Sequence, residues 1–337
     1  MVDREITRKA KLVYLPTGAI DISDRRYTVS WPGDRGVDEL ARKIGLAGTV
    51  EPVWAEDCGG VFRVVDGFGR LAAARRARIV EVPALVFPAD TDQRALMRAR
   101  LRDVAGRITA VEAARLVDRL AREFQVGDPE LVEVFLPLLG FGPSGKILAD
   151  LRRLAPLEEP VARWCAEQGA GLREALQWAA FPREGQRAIL VLVRSAKPGG
   201  NLLRSYLRLL QEISVRDSLP VQDVLFDRGI REVLTDSQAA VSGGREKIHR
   251  ILLARRYPLI TELVARFGKL RREMHLPEGV GLEAPPNFEG DRFTLSLSFG
   301  SAPELALTLG KLIDLVGSGG VDDLFELLGA PEKEKPE

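Results

Sequence analysis

The segment Val61-Phe-Arg-Val-Val-Asp-Gly-Phe-Gly-Arg-Leu-Ala-Ala-Ala74 changes its residue pattern at Asp66-Gly67-Phe68-Gly69. The residues before this point are mostly β-branched or aromatic and predict a strand, whereas the alanine- and arginine-rich residues after it predict a helix over Arg70–Arg78. A glycine turn between a strand and a helix directs backbone amides outward at the helix N-terminus, a geometry that suits anions. The segment therefore predicts an α/β domain able to handle phosphate groups.

The neighbouring residues extend this segment into a small α/β domain over residues 1–90. Apolar residues at helical spacing predict a helix, and β-branched runs around a glycine turn predict a hairpin and one further strand. In chain order these elements are the helix Val37–Ile44, the strands Glu51–Glu56 and Val61–Val65 around the turn Asp57–Gly60, and the strand Ile79–Phe87.

Length and composition describe a globular protein of about two or three domains. The 337 residues are 45% hydrophobic and 29% charged, with 49 Lys and Arg against 48 Asp and Glu, a net charge of +1. No apolar run reaches the ~20 residues of a membrane helix, and the charged N-terminus lacks the pattern of a secretory signal. Two widely spaced cysteines exclude a disulfide scaffold and a cysteine-zinc site, and two histidines disfavour histidine-rich metal chemistry. We expect a cytoplasmic protein without membrane or metal.

Residues 91–219 predict a helical domain. Its clearest start signal is Thr109-Ala-Val-Glu112, a capping box followed by an apolar stripe. A helix over Pro129–Leu139, the tight connection Gly140–Ser144 and a helix over Lys146–Leu154 then fit the spacing of a helix-turn-helix. Glycine-containing breaks also separate the helices of generic helical bundles, so the spacing alone leaves both interpretations open.

Residues 220–330 predict a C-terminal region of helices with one short strand. The strand, within Arg292–Phe299, alternates apolar and polar residues. A single half-buried strand needs a partner, either an earlier strand near Gly279–Leu282 or a second subunit. The remaining predictions are helices over 221–234 and 245–273, a helix from Ser301 to Val316, and a disordered tail over 331–337.

Charge is distributed unevenly along this region. Arg245–Arg272 holds nine basic and two acidic residues, a net charge of +7, and Leu276–Glu337 holds twelve acidic and four basic residues, a net charge of −8. Such a pattern indicates either a polyanion site beside a polar tail or two blocks that neutralise each other.

Taken in order, several segments of residues 12–195 resemble the ParB/sulfiredoxin superfamily, and more particularly ParB-like partition proteins. They are Leu15–Ile22, Glu39–Ile44, Gly48–Val53, Val61–Ala74, Val82–Ala84, Thr109–Ala114, Glu123-Phe124 and Ala149–Leu154. The resemblance implies an α+β fold with an N-terminal ParB/sulfiredoxin-like domain, a helical helix-turn-helix domain and a C-terminal helix-plus-strand region. It also implies that Ala149–Leu154 belongs to a DNA recognition helix.

The same resemblance implies a nucleotide site at the glycine turn. In this family a Gly-Glu-Arg-Arg-type turn holds the triphosphate of CTP, and here the position reads Gly67-Phe68-Gly69-Arg70, with Asp66 preceding it. The family's Gln-Pro-Arg element is represented by Arg25 or Arg26. The implied phosphate-binding residues are Arg25, Arg26, Asp66, Gly67, Gly69 and Arg70, with CTP and magnesium as the candidate cofactor. The alternative is that Gly67 and Gly69 serve only the backbone geometry and that Arg70 pairs with a neighbouring carboxylate.

Departures from the family pattern disfavour catalysis. The two middle polar positions of the turn are Phe68 and Gly69, and Arg98–Asp103 carries basic residues where the family has a Glu-Asn phosphate and metal motif. Sulfiredoxin relatives need a cysteine at the Phe68 position, so that reductase activity is not expected. We predict no catalytic residue and no metal ligand.

Two basic features predict contacts with DNA phosphates. Arg94, Arg98 and Arg102 recur every four residues and would form one edge of a helix. Ser144, Lys146 and Arg153 lie along the predicted recognition helix, whose apolar residues would pack inward. The alternatives are a solvated helix face for the first set and a scaffold that reads no sequence for the second.

The sequence thus favours a DNA-binding ParB-like protein, acting as a chromosome or plasmid partition factor or as a regulator. A CTP-dependent switch or phosphotransferase of the same superfamily is the second interpretation, and a degenerate protein–protein adaptor is the third. The expected partners are DNA and a second copy of the chain, bound through residues 220–330.

Overall fold

A computed structural model of the chain describes residues 9–31, 36–48, 51–102, 106–235, 243–319 and 321–328. The chain forms two compact units, residues 1–191 and 192–337. The sequence indicates a division into 1–90, 91–219 and 220–330, and that finer division remains a prediction. The tail 331–337 and the motif position Asp103 lie outside the described residues.

The first unit contains a five-stranded mixed sheet at its N-terminal end. The strands are β1 (Lys11–Pro16), β2 (Ile20–Asp21), β3 (Val53–Asp57), β4 (Phe62–Asp66) and β5 (Glu81–Phe87), in the order β1-β5-β3-β4-β2. β1 runs antiparallel to β5 and β3 antiparallel to β4, while β5 is parallel to β3 and β4 is parallel to β2. The predicted hairpin and the predicted strand after the helix are therefore present.

Helix α2 (Phe68–Arg76) packs on this sheet, and α1 (Val37–Ala47) packs on α2. Inward residues of the strands, among them Val53, Val64 and Ala84, are fully buried against Leu71 of α2. Ala73 of α2 in turn packs against α1. α2 begins two residues earlier than predicted, because the residue before it is a glycine that adopts a left-handed conformation and starts the helix.

A buried carboxylate ties the sheet to its surroundings. Glu56 of β3 is 1% exposed and accepts hydrogen bonds from Arg63 Nη1 at 2.9 Å and from Tyr27 Oη at 3.4 Å. Its other oxygen accepts from Gln93 Nε2 at 2.9 Å. Burial, followed by the nearby Glu56 carboxylate, raises the pKa of the Tyr27 hydroxyl. The network fixes two segments against the sheet: the loop before α1, and the start of the helix that begins at Gln93.

The rest of the first unit is helical. Its elements are α3 (Gln93–Arg102), α4 (Ala110–Arg122), α5 (Asp128–Glu130), a π-helical turn (Leu131–Phe135), α6 (Leu136–Leu138), α7 (Gly145–Leu154), α8 (Glu159–Glu167), α9 (Leu172–Ala179) and α10 (Arg183–Ala196), within which the division between units falls. The predicted capping box opens α4: Thr109 Oγ1 accepts from the Glu112 amide, and Glu112 accepts from the Thr109 amide at 2.9 Å. The predicted helix-turn-helix spacing is present as α5–α6 followed by α7.

The second unit contains α11 (Gly200–Asp217), α12 (Val221–Leu225), α13 (Arg228–Thr235), α14 (Gly244–Arg256), α15 (Pro258–Glu273), β6 (Val280–Glu283), β7 (Thr294–Leu297), α16 (Ala302–Gly317) and α17 (Asp322–Glu326). The single helices predicted over 221–234 and 245–273 are both wrong. The first is divided between α12 and α13, and in the second Pro258 lacks an amide hydrogen and begins a new helix. β7 pairs antiparallel with β6, so its partner comes from the same chain.

These elements confirm the predicted α+β class, with a mixed sheet, many helices and a short C-terminal strand pair. Among the helices in the described ranges, none is long and apolar enough to cross a membrane.

Candidate functional site

The turn between β4 and α2 requires glycine at its first position. Gly67 has φ 90° and ψ 23°, a conformation that side chains with a Cβ rarely adopt. A Cβ at this position would lie 2.9 Å from Val53 Cγ1 and 3.2 Å from the Arg70 guanidinium. Gly67 is the N-cap of α2 and provides no side-chain cap, so the first amides of the helix have no side-chain acceptor at that residue.

Arg70 is held by carboxylates beside this turn. Its Nη1 donates to Glu51 Oε2 at 2.9 Å and its Nη2 donates to Asp66 Oδ2 at 3.1 Å. The other oxygen of Asp66 lies 2.9 Å from Nε of Arg100. The Nε of Arg70 is buried and has no hydrogen-bond partner among the described residues. A phosphate bound at this turn would therefore compete with two carboxylates for one guanidinium.

The two predicted arginines of the preceding loop lie in different surroundings. The Arg25 guanidinium carbon is 5.9 Å from the ring centroid of Phe68, the first residue of α2. Arg26 instead donates to Gln93 Oε1 at 2.9 Å and lies 3.8 Å from Glu123 Oε2. The structure thus brings Arg25 to the glycine turn, whereas Arg26 links α3 and the end of α4.

The predicted basic edge of α3 is largely engaged within the protein. Arg94 donates to the carbonyls of Phe124 at 2.9 Å and Gln125 at 2.7 Å, and its Nη1 donates to Glu130 Oε2 at 3.2 Å. Arg98 donates to the other oxygen of Glu130, also at 3.2 Å. These bonds attach α3 to the segment that follows α4 and to Glu130 of α5, the first helix of the helix-turn-helix. Arg102, at the end of the same helix, is exposed.

The predicted recognition helix, α7, has one packed and one exposed face. Its buried residues pack on α4 and α9, and they are Leu148, Leu151 and Leu154. Lys146, Ala149 and Arg153 are exposed on the other side, and Arg153 makes one long contact, 3.4 Å, with Asp150. Ser144 precedes the helix in extended conformation without capping it through its side chain.

Sequence reasoning missed Arg152, which orients α7. Its two terminal nitrogens donate to the two oxygens of Asp128 at 2.9 and 2.5 Å, and this bidentate pair fixes α7 to the first turn of α5. The partners are 24 residues apart, so helical spacing carried no signal for them.

The basic segment of the second unit is partly neutralised by α11. Arg255 donates to Asp217 at 3.2 Å and Arg256 donates to Glu212 at 2.7 Å. These acidic partners precede the segment rather than belong to the acidic block after Leu276. Arg250, Arg266 and Arg271 are exposed.

Comparison with known proteins confirms the resemblance to ParB-like partition proteins. The chain is 30% identical over 134 residues to a probable chromosome-partitioning protein ParB of Coxiella burnetii, covering 40% of this chain and 43% of that protein. It is 27% identical over 129 residues to the protein of the same name from Vibrio cholerae, covering 38% and 42%. The chain thus spans less than half the length of these curated relatives. No protein-family model matches it.

The similar solved structures are also of ParB proteins or of a ParB-N domain. The C-terminally truncated ParB of Caulobacter crescentus with CTP-γ-S shares 20% identity (TM-score 0.26) over 53% of this chain and 99% of that chain. The same protein with the centromeric parS site shares 16% identity (TM-score 0.33) over 63% and 95%. A Pnob8-like ParB-N domain shares 15% identity (TM-score 0.34) over 72% and 98%.

The glycine turn gives a matched pair of substitutions. Gly67→Ala should lower the free energy of unfolding by about 1–3 kcal/mol, because alanine would be strained at φ 90° and would press on Val53. Gly69→Ala, two residues later in the helix, meets no atom within 4 Å and should be neutral or stabilising by up to about 1 kcal/mol. Urea midpoints of the two variants and the wild type measure the difference. A Gly67→Ala protein as stable as the wild type would contradict the turn geometry.

Proposed function

We propose that this protein is a DNA-binding ParB-like protein, a partition factor or regulator, that contacts duplex DNA through α7. The observation that carries the proposal is the helix itself: three leucines hold it on α4 and α9 while Lys146, Ala149 and Arg153 face outward. The similarity to two chromosome-partitioning proteins over about 130 residues supports the same function.

The dimensions and chemistry of α7 suit the major groove. Its ten residues span about 15 Å, and the groove is about 12 Å wide and accepts one α-helix. Gly145 and Ala149 are exposed and small, so the backbone can approach the groove closely. Lys146 and Arg153, near the two ends, can neutralise phosphates on either side, and Ser144 can add a hydroxyl contact. Most of the affinity would come from phosphates and would depend on salt.

Substitutions on the exposed face test this function. Lys146→Ala and Arg153→Ala should each weaken binding to long duplexes of any sequence and lower the slope of log affinity against log salt by about one. Fluorescence anisotropy across a salt series measures both quantities. Arg122→Ala is the matched control, because Arg122 is an exposed arginine of α4 paired with Asp118 and should leave affinity unchanged.

Absence of duplex binding by the wild type at low salt would rule out the DNA function. Equal losses in Lys146→Ala and Arg122→Ala would mean that DNA binds elsewhere on the protein.

The glycine turn favours a second candidate function, a CTP-dependent switch or phosphotransferase. The α2 N-terminus without a side-chain cap, the unpartnered Nε of Arg70 and the nearby Arg25 fit a phosphate group. The Asp66 carboxylate is shared by Arg70 and Arg100, so magnesium would arrive with the nucleotide rather than at a preformed acidic site. The third candidate, an adaptor, applies if neither DNA nor nucleotide binds.

Nucleotide titration separates these candidates. Arg70→Ala should weaken CTP binding by about ten- to a hundredfold, because it removes a charge-assisted contact worth about 1.5–3 kcal/mol. Arg76→Ala, an exposed position at the end of the same helix, is the control. Isothermal titration with CTP, ATP and GTP, with and without magnesium, gives the affinities, and circular dichroism checks folding. Equal CTP affinities for Arg70→Ala and wild type would mean that the nucleotide binds elsewhere. Absence of nucleotide binding by both proteins would rule out the nucleotide candidate.

The C-terminal region is also proposed to join two copies of the chain. β7 already has an intrachain partner, so the support comes from α16. One face of that helix packs through the buried Leu312, while a second apolar stripe, Leu309, Ile313 and Val316, is 41–70% exposed. The stripe follows the spacing i, i+4, i+7, which suits pairing with another helix.

A charge in the stripe should prevent self-association. Ile313→Glu would place a carboxylate in the proposed apolar contact, whereas Lys311→Glu introduces the same residue on another side of α16. Light scattering at micromolar concentration should give a dimer mass for the wild type and for Lys311→Glu, and a monomer mass for Ile313→Glu. A monomeric wild type would contradict the proposed contact.

A further inference from the structure

A cleft of about 200 Å³ lies between the loop before α1 and the helices α4 and α8. It contains none of the residues of the glycine turn and none of α7. The charged residues that line it are four arginines, Arg25, Arg115, Arg119 and Arg163, and two glutamates, Glu112 and Glu159. The lining therefore has a formal charge of +2.

Arg115 is one of the four arginines that line the cleft. Its guanidinium carbon lies 4.1 Å from the ring centroid of Trp31, so the side chain stacks on the indole. It forms no ion pair within 4.0 Å with any carboxylate of the described residues. Burial lowers its pKa; the charge of Glu159 opposes that effect, while the charges of Arg119 and Arg163 add to it. A desolvated cation beside two others is a group that an anion would stabilise.

The glutamates of the cleft are already engaged. Glu112 accepts from the amide and hydroxyl of Thr109 in the capping box and from the Trp31 amide at 3.3 Å. Glu159 accepts from Arg163 at 3.1 Å. Arg119 donates to the Thr28 carbonyl and so fixes the loop over the cleft. Neither Glu112 nor Glu159 lies within ion-pair distance of Arg115.

Two polar atoms of the cleft lining are buried and have no hydrogen-bond partner in the part of the chain that the structure describes. They are the indole Nε1 of Trp31 and the hydroxyl oxygen of Thr28. An indole nitrogen can only donate, so its missing partner must be an acceptor. Leaving such a group unpaired costs about 1–3 kcal/mol, and native proteins usually avoid it. An anion with several oxygens would accept hydrogen bonds from these two groups and from Arg115 together.

We infer that this cleft is a phosphate-binding site, separate from the glycine turn, in which Arg115 is the principal charged contact and the Trp31 indole a hydrogen-bond donor. Arg25 borders both sites. A phosphate group has several oxygens that accept from guanidinium and indole N–H groups together. Its source is either a free phosphate or phosphomonoester, or the backbone of duplex DNA. Only the second source rests on the proposed DNA function.

The test uses the full chain and two probes, inorganic phosphate and a long duplex. Of the two probes, the one that binds in this cleft should bind Arg115→Gln about ten- to a hundredfold more weakly than wild type. Arg122→Gln, with an exposed arginine on the same helix, is the matched control. Trp31→Phe retains an aromatic ring and removes the N–H donor, so it should weaken binding less. Arg115→Lys keeps the charge and tests the planar contact if Arg115→Gln proves unstable.

Isothermal titration against a chloride control of equal ionic strength gives the phosphate affinity, and anisotropy gives the duplex affinity. Specific loss of phosphate binding in Arg115→Gln with unchanged duplex affinity would assign the site to free phosphate. Specific loss of duplex affinity would assign it to the DNA backbone. If wild type binds no phosphate at millimolar concentration and Arg115→Gln matches Arg122→Gln on duplex, the inference is wrong, even where the α7 variants still support DNA binding.

Discussion

The buried carboxylate of Glu56 is the interaction on which the first unit depends. It lies on the central strand of the sheet and accepts from Arg63, Tyr27 and Gln93, which belong to the adjacent strand, the preceding loop and α3. A carboxylate in this position is tolerated only because its partners are present, and removing one partner of such a pair typically costs about 3–5 kcal/mol. Through these partners Glu56 joins β3 to β4, to the loop before α1 and to the start of the helical region at Gln93.

Charge pairing also divides the arginines by role. Arg70, Arg94, Arg98 and Arg152 contact carboxylates and join elements of the fold. Lys146 and Arg153 on α7, and Arg115 in the cleft, are cations for which we propose contact with an external anion. The protein is nearly neutral overall, with a net charge of +1, so DNA affinity would depend on where such cations lie rather than on total charge.

The sequence predicted the elements that have local signals. The hairpin around Asp57–Gly60, the capping box at Thr109 and the connection before α7 all follow from residues within a few positions of one another. It could not predict that Glu130 would engage Arg94 and Arg98, because the partners are 36 and 32 residues apart. The cleft was missed for the same reason: Trp31 and Arg115 meet only in the folded protein.

Amide hydrogen exchange of the full chain, with and without a saturating long duplex at low salt, tests the DNA-binding role of α7 most directly. Exchange reports protection element by element and needs no substitution. DNA binding through α7 predicts slower exchange over Gly145–Leu154, with the amides of α16 unchanged by the duplex. Saturating duplex that leaves the exchange of α7 unaltered and slows it elsewhere would contradict this role.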